Sequence, residues 1–243
     1  MRRFTKVVLL VVLMSVVGAC YSQAATLWYN GDFNGVNGLA NESNTFWQTN
    51  PWSSRVYDDF VVGNGGWNIN SVWSNNLQGF TGVNEAIWEI RSGISSGNGG
   101  TLLYSGRSSA TETGTGRYLD LGSDRGSYYE YTIMVTGLGI SLSPGTYWLA
   151  VVPIGHLQYE SFVSTTSGAN AIGSPAGNNG NAYWNSSFYS ANWQRTSDYY
   201  YELQDFSMGI GGEALDSVVP EPASMALLGL GLAGMVLRCK KSV

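Results

Sequence analysis

The chain has 243 residues, of which 12 % are charged and 13 % aromatic, with 32 glycines; ordinary soluble domains are about 25 % charged. Arg2, Arg3 and Lys6 open it and Arg238, Lys240 and Lys241 close it, so the middle holds six arginines, no lysine and all 17 acidic residues, a net of −11. Nucleic acid and anionic membrane surfaces, which need basic patches, are excluded as partners of that middle, and neutral sugars, cations and other proteins remain.

At the N-terminus, the basic Arg2, Arg3 and Lys6 precede an apolar run from Val7 to Val17. The run is shorter than the roughly 20 residues a bilayer span needs and reads as the core of a secretory signal peptide occupying residues 1–25. Two cleavage readings stand. Ser22-Gln23-Ala24 fits a small-x-small site with cutting before Ala25. Val17-Gly18-Ala19-Cys20 resembles a bacterial lipobox, which would make Cys20 a lipidation site. Cys20 and Cys239 are the two cysteines, each in a terminal segment, so the middle can form no disulfide.

Asn30-Gly31-Asp32-Phe33-Asn34-Gly35 follows, with oxygen side chains at alternate positions and a turn glycine. Asn30, Asp32 and Asn34 are candidate ligands for calcium, although Asn stands first instead of Asp and Asn41 replaces the bidentate Glu. The alternative is an Asn/Gly turn between strands. No other cofactor is expected.

Period-2 patterns then dominate. Val56, Asp58, Phe60 and Val62 share one strand face, as do Trp67, Ile69, Ser71 and Trp73. Ala86, Trp88 and Ile90 oppose Ile87, Glu89 and Arg91. Tyr129, Tyr131, Ile133 and Val135 form a further stripe. The continuous apolar run Tyr147 to Val152 predicts a strand covered on both faces. Leu102–Ser105, Arg117–Leu121, Ser161–Ser164, Ala182–Trp184 and Tyr199–Met208 complete about ten predicted strands. Gly-, Asn- and Pro-rich turns separate them. The fold class is all-β, a jelly-roll-like antiparallel β-sandwich over residues 26–212, ending at Gly209-Ile210-Gly211-Gly212 before a linker at 213–219.

Little in this body supports catalysis. His156 is the one histidine, too few for a triad or a His-ligated metal, and reads as a loop residue. Gly93-Ile94-Ser95-Ser96-Gly97 matches the nucleophile-elbow string without the helix that must follow it. Glu85, Glu89, Glu130, Glu160 and Glu202 offer carboxylate pairs that sequence cannot place in space. Tyr183, Trp184, Tyr189 and Trp193, together with Phe188, lie among Asn and Ser in a loop-like stretch. They either cap one end of the sandwich or stack on sugar faces.

The C-terminus runs Val219-Pro220-Glu221-Pro222, an uncharged apolar stretch at 223–237, then Arg238, Cys239, Lys240 and Lys241. The prolines hold the entry extended. A helix over 223–237 is roughly 22 Å long at 1.5 Å per residue, short for a span unless the basic side chains snorkel. The basic cluster stays cytoplasmic, as does the N-terminal one, so the middle lies outside. This tail, residues 220–243, resembles the PEP-CTERM sorting signal. The resemblance implies an exosortase-type processing enzyme as partner, membrane attachment through the C-terminal helix until processing, and a host that makes exopolysaccharide or biofilm. The Val56-Tyr57-Asp58-Asp59-Phe60 stretch and its successors are also similar to sandwich domains that precede such tails. The expected product is a non-enzymatic structural or adhesive protein of the cell envelope or extracellular matrix, held at the inner membrane before processing. A carbohydrate-binding module, with exopolysaccharide as ligand, is the alternative, and a glycosidase or lyase comes third.

Overall fold

The structure, a computed structural model, describes residues 25–44, 52–122, 126–155 and 161–215. Residues 1–24, where a signal peptide with Cys20 is expected, His156 and Glu160, and the tail residues Val219, Pro220, Glu221, Pro222, Arg238, Lys240 and Lys241 lie outside these residues. In chain order the strands are β1 (Ala25–Tyr29), β2 (Phe33–Ala40), β3 (Glu42–Asn44), β4 (Trp52–Val62), β5 (Trp67–Gln78), β6 (Glu85–Ser92), β7 (Thr101–Ser109) and β8 (Thr111–Asp120). There follow β9 (Ser127–Val135), β10 (Ile140–Leu142), β11 (Gly145–Pro153), β12 (Ser161–Thr166), β13 (Tyr183–Ser186) and β14 (Ala191–Arg195), then the short helix α1 (Thr196–Tyr200), β15 (Asp205–Phe206) and β16 (Met208–Ala214).

These strands form two antiparallel sheets arranged as a sandwich. The first has nine strands built around β5, which pairs with β16, β12, β9 and β10; β1 lies outside β16, β2 and β15 flank β12, and β8 lies outside β9. The second has seven strands in the order β14-β13-β4-β11-β6-β7, with β3 also on β4. Alternation decides what faces inward. Val56, Phe60, Val62, Trp88, Ile90, Leu149, Val151 and Trp184 of the second sheet meet Trp28, Trp67, Ile69, Val72, Ile133, Val135, Phe206, Met208 and Ile210 of the first in one continuous core. Phe60 is its hub, stacked on Trp67 at 5.9 Å between ring centroids and tilted against Trp28 at 5.7 Å. Such ring contacts add about 0.5–1.5 kcal/mol each beyond simple burial. Polar bonds also cross the gap: the Ser74 hydroxyl and the Asn41 side-chain amide both donate to the Val151 carbonyl at 2.8 Å.

β11 is central and covered on both faces, as its apolar run predicts. Beyond the main core, Tyr57, Ile94, Trp148, Ala150, Val152 and Tyr183 form a second, smaller cluster on the outer face of the second sheet, with Ile87 and Trp193 against it.

Two sequence readings are corrected. Tyr199–Met208 is not one strand: its first residues close α1 and its last ones begin β15 and β16. Gly209-Ile210-Gly211-Gly212 is not the edge of a linker. It is the middle of β16, clamped between β1 and β5 and reaching Ala214 opposite Trp67. Glycine is required there because the Trp73 ring lies where a Cβ at Gly209 would project, and the Asn68 backbone carbonyl does the same at Gly212.

Candidate functional site

Titratable side chains collect in three places. On the outer face of the second sheet, Glu89 accepts hydrogen bonds from Arg55, from Arg91 Nε at 2.6 Å and from the Tyr57 hydroxyl at 2.9 Å. Arg91 also donates to the Gly99 carbonyl at 3.0 Å and lies 4.8 Å over the Trp193 ring. Gly99 has no room for a side chain because Trp193 occupies its Cβ position. Burial, then the nearby Glu89 carboxylate, pushes the Tyr57 hydroxyl well above its ordinary pKa. Both Glu89 oxygens are bonded and the residue is 5 % exposed, so this network ties the 93–100 loop to the sheet and leaves Glu89 no free oxygen for a ligand.

On the outer face of the first sheet, Arg117 bridges Asp32 at 2.9 Å and the buried Glu130 at 2.5 Å. Asp32 further accepts from the Tyr29 hydroxyl and the Asn170 amide, both at 2.7 Å. Partial burial works to raise the Asp32 carboxyl, but these bonds and Arg117 hold it below its ordinary value. Burial pushes the Tyr29 hydroxyl up to about 12. Asp32 is therefore already ion-paired, whereas Asn30 is buried and donates to Asp58 Oδ2 at 2.9 Å, and the Asn34 side-chain oxygen accepts from Thr165 at 2.7 Å. The structure sends the three calcium candidates to three separate partners. No group of three or more His, Cys, Asp or Glu placed to hold a metal is found among the described residues.

The third place is one the sequence did not reveal. Asp58 points inward and Asp59 outward from β4, as adjacent strand residues must, yet Asp205 at the start of β15 comes close enough to act electrostatically on both. Asp58 accepts from the Phe206 amide at 2.6 Å and the Asp59 amide at 2.9 Å. Asp59 accepts from the side chains of Asn179 and Asn181, and Asp205 Oδ2 accepts from the Asn179 amide at 2.7 Å. Asp205 Oδ1 is buried without a partner. Burial raises all three carboxyls, and the neighbouring acids add to it for Asp58 and Asp205; Asp205 reaches about 7. The cluster ties the 177–181 turn to β4 and β15, and its burial disfavours the charged form of each carboxyl.

The remaining feature is aromatic and open. β13 and β14 form a hairpin, so the loop-like reading of that stretch is corrected. Tyr183 and Trp184 are buried, at 4 % and 2 % exposure, with the Trp184 indole donating to Ser54 Oγ at 2.7 Å. Their rings have no free face for sugar stacking, and Trp193 is covered by Arg91 and Gly99 as described. Tyr189 is the exposed member of the expected set, at 51 %. It does not stand alone. Phe188 packs on it at 4.8 Å, and Trp184 supports both Tyr189 at 5.2 Å and Tyr199 at 5.1 Å. Tyr199 in turn meets Tyr200 at 5.1 Å, and the Tyr200 hydroxyl donates to the Gly38 carbonyl at 3.1 Å. Phe188, Tyr189 and Tyr199 thus stand exposed on a base of buried rings. Tyr201, just past α1, is 93 % exposed. Sequence reading missed Tyr199 and Tyr201 because it merged them into a strand; a Tyr-Tyr-Tyr run beside Asp198 and Glu202 was the available signal.

Of the expected acids, Glu85 is paired with Arg107 at 2.5 Å, Glu89 and Glu130 are engaged as above, Glu202 is exposed, and Glu160 lies outside the described residues. Ser95 sits in a tight turn with Asn98, their backbone amides exchanging hydrogen bonds of 2.9 and 2.8 Å, with no helix after the serine. No helix among the described residues is long and apolar enough to cross a membrane.

Residues 218–241 match the PEP-CTERM protein-sorting motif. That motif implies an exported protein processed at the membrane by an exosortase. No curated protein matches the chain.

Proposed function

We propose that the chain is a structural or adhesive protein of the cell envelope or extracellular matrix, held at the inner membrane by its C-terminal apolar segment until processing and then released outward as a β-sandwich. The observation that carries this reading is the sorting motif, which begins three residues after Leu215, where the described sandwich ends. Changing Pro220-Glu221-Pro222 to three alanines is expected to leave the full-length precursor in the inner-membrane fraction, with its C-terminal peptide still detectable by mass spectrometry. Processing at the wild-type rate would overturn the reading.

A second reading, a carbohydrate-binding module on the same sandwich, is favoured by one observation: Tyr189 and Tyr199 are about half exposed and both rest on the buried Trp184 ring. Aromatic faces fixed in advance lose little freedom on binding, and their C–H/ring contacts suit pyranose sugars. Tyr189→Ala is expected to lower retention of the mature protein on a polysaccharide column. Unchanged retention would argue for adhesion through protein contacts instead.

A further inference from the structure

An asparagine followed by glycine is a chemically labile pair, because a glycine without a Cβ lets its backbone nitrogen approach the asparagine side-chain carbonyl. The chain has six such steps, at Asn30, Asn34, Asn37, Asn64, Asn98 and Asn179, all within the described residues. Five of these side chains are held. Asn30 is buried, donates to Asp58 and accepts from the Gly177 amide. The Asn34 oxygen accepts from the Val36 amide and the Thr165 hydroxyl, and the Asn37 oxygen from the Gly38 amide at 2.8 Å. Asn98 accepts from the Gly100 amide at 3.0 Å, with Gly99 pressed against the Trp193 ring. Asn179 donates to Asp59 and accepts from the Asn181 amide.

Asn64 is the exception. Asn64 and Gly65 are the exposed central residues of the β4–β5 turn, which is closed by the Gly66 amide donating to the Gly63 carbonyl at 3.2 Å. Among the described residues the Asn64 side chain makes no hydrogen bond and the Gly65 amide donates none. The turn is also a junction, since β4 belongs to the second sheet and β5 to the first. Gly66 is wedged beside it: a Cβ there would lie 2.5 Å from the Leu142 carbonyl oxygen, and the Gly66 carbonyl accepts the Leu215 amide at 2.8 Å, three residues before the sorting motif begins.

We infer that Asn64 is a site of spontaneous deamidation, and that its modification loosens the attachment of Leu215. The Gly65 nitrogen, losing its proton to water, attacks the side-chain carbonyl carbon of Asn64. The new C–N bond closes a five-membered succinimide, and the side-chain nitrogen leaves as ammonia with the proton returned to it. One water then opens the ring. Opening at the side-chain carbonyl leaves aspartate at position 64, and opening at the main-chain carbonyl leaves isoaspartate. Water is the one co-reactant and no atom changes oxidation state. Both products add a negative charge. Isoaspartate also routes the main chain through Cβ, lengthening the turn by one carbon and displacing Gly66 from its wedge. This inference is independent of what the body binds.

The test is timed incubation of the folded mature protein at mildly alkaline pH. Peptide mass mapping with fragmentation locates each conversion of amide to acid, and isoaspartyl methyltransferase labels isoaspartate. Conversion at Asn64 is expected to run at least about tenfold faster than at any of the other five, a difference of about 1.4 kcal/mol in barrier. In urea the six rates should converge. Folded-state conversion at Asn64 no faster than at the others would overturn the assignment, and a lead that persisted in urea would show that the fold does not set it. Asn64→Gln, which would have to close a six-membered ring, should remove the label; a label that stayed would place the reaction elsewhere. The Leu215 amide should exchange hydrogen faster in aged protein than in fresh, and at one rate in fresh and aged Asn64→Gln. Equal exchange in fresh and aged wild-type protein would overturn the link to Leu215.

Discussion

Two aromatic regions meet at the β13–β14 hairpin, which contributes residues to both, and have opposite characters. Tyr57, Trp148, Tyr183 and Trp193 form a sealed patch on the second sheet, closed by Arg91 and the 93–100 loop. Phe188, Tyr189, Tyr199 and Tyr201 form an open one, each about half exposed or more. The sealed patch uses its polar atoms internally: the Trp148 indole donates to the Asn181 carbonyl at 2.8 Å and the Tyr57 hydroxyl to Glu89. The open patch leaves its ring faces and carboxylates to solvent. Aromatic content therefore does not by itself mark a binding surface. What separates the two is whether neighbouring groups have already consumed the faces and the hydrogen bonds.

Substitutions should divide along the same line. Trp148→Ala in the sealed patch removes a buried indole and is expected to cost about 4 kcal/mol, read as a lowered denaturation midpoint; a loss below about 1 kcal/mol would show that the second cluster carries no stability. Glu89→Ala strands two arginines and a buried tyrosine hydroxyl, and should cost about 3 kcal/mol and free the 93–100 loop to proteolysis. An unchanged cleavage pattern would contradict the locking role.

Outside both patches, Asp205 titrates near 7 in the folded protein and near 4 unfolded. A raised carboxyl gives stability that is complete below about pH 4 and lost as pH rises towards 7, so urea midpoints should fall between pH 5 and pH 8. Asp205→Asn, which cannot ionise, should flatten that fall. Asp32, held low, acts in the opposite sense and loses its contribution as the medium turns acidic. A midpoint rising from pH 5 to pH 8 would refute the Asp205 account.

The smallest effect is the most discriminating one. Tyr201→Gly in the open patch should stabilise the protein by about 0.5–1 kcal/mol, because relief of a left-handed non-glycine residue, at φ +61°, exceeds the entropy glycine adds to the unfolded chain. For a domain of this size that is a rise of about 2–4 °C in Tm per kcal/mol. A destabilised variant would mean that the ring makes contacts after all.

Legibility followed the physics of pattern. β4, β5, β6 and β9 could be read because each alternates apolar side chains along one face, and β11 because its continuous apolar run is buried on both faces. β16 could not, because its burial is achieved largely by glycines against Trp73 and the Asn68 carbonyl, so that only Met208 and Ile210 signal a core. α1 was missed because five residues hold no helical period. Asp58, Asp59 and Asp205 are brought together by the pairing of β12 with β15 and by the 177–181 turn, contacts far apart along the chain. The exposed tyrosines were half visible: composition flagged the stretch, but only the hairpin register decides that Trp184 turns into the core, Tyr183 into the covered outer cluster and Tyr189 to solvent.

The clamping of β16 bears on mechanics. Its last residue, Ala214, leads through Leu215 towards the sorting motif, and the Leu215 amide still donates to the Gly66 carbonyl at 2.8 Å. A pull on the tail is thus delivered along a strand bonded on both sides, to β1 and to β5, and loads those hydrogen bonds together in shear instead of peeling them singly. Single-molecule stretching from the C-terminus should meet higher rupture forces than stretching from the β13–β14 turn, and equal forces at the two handles would deny β16 the part of a tension-bearing root.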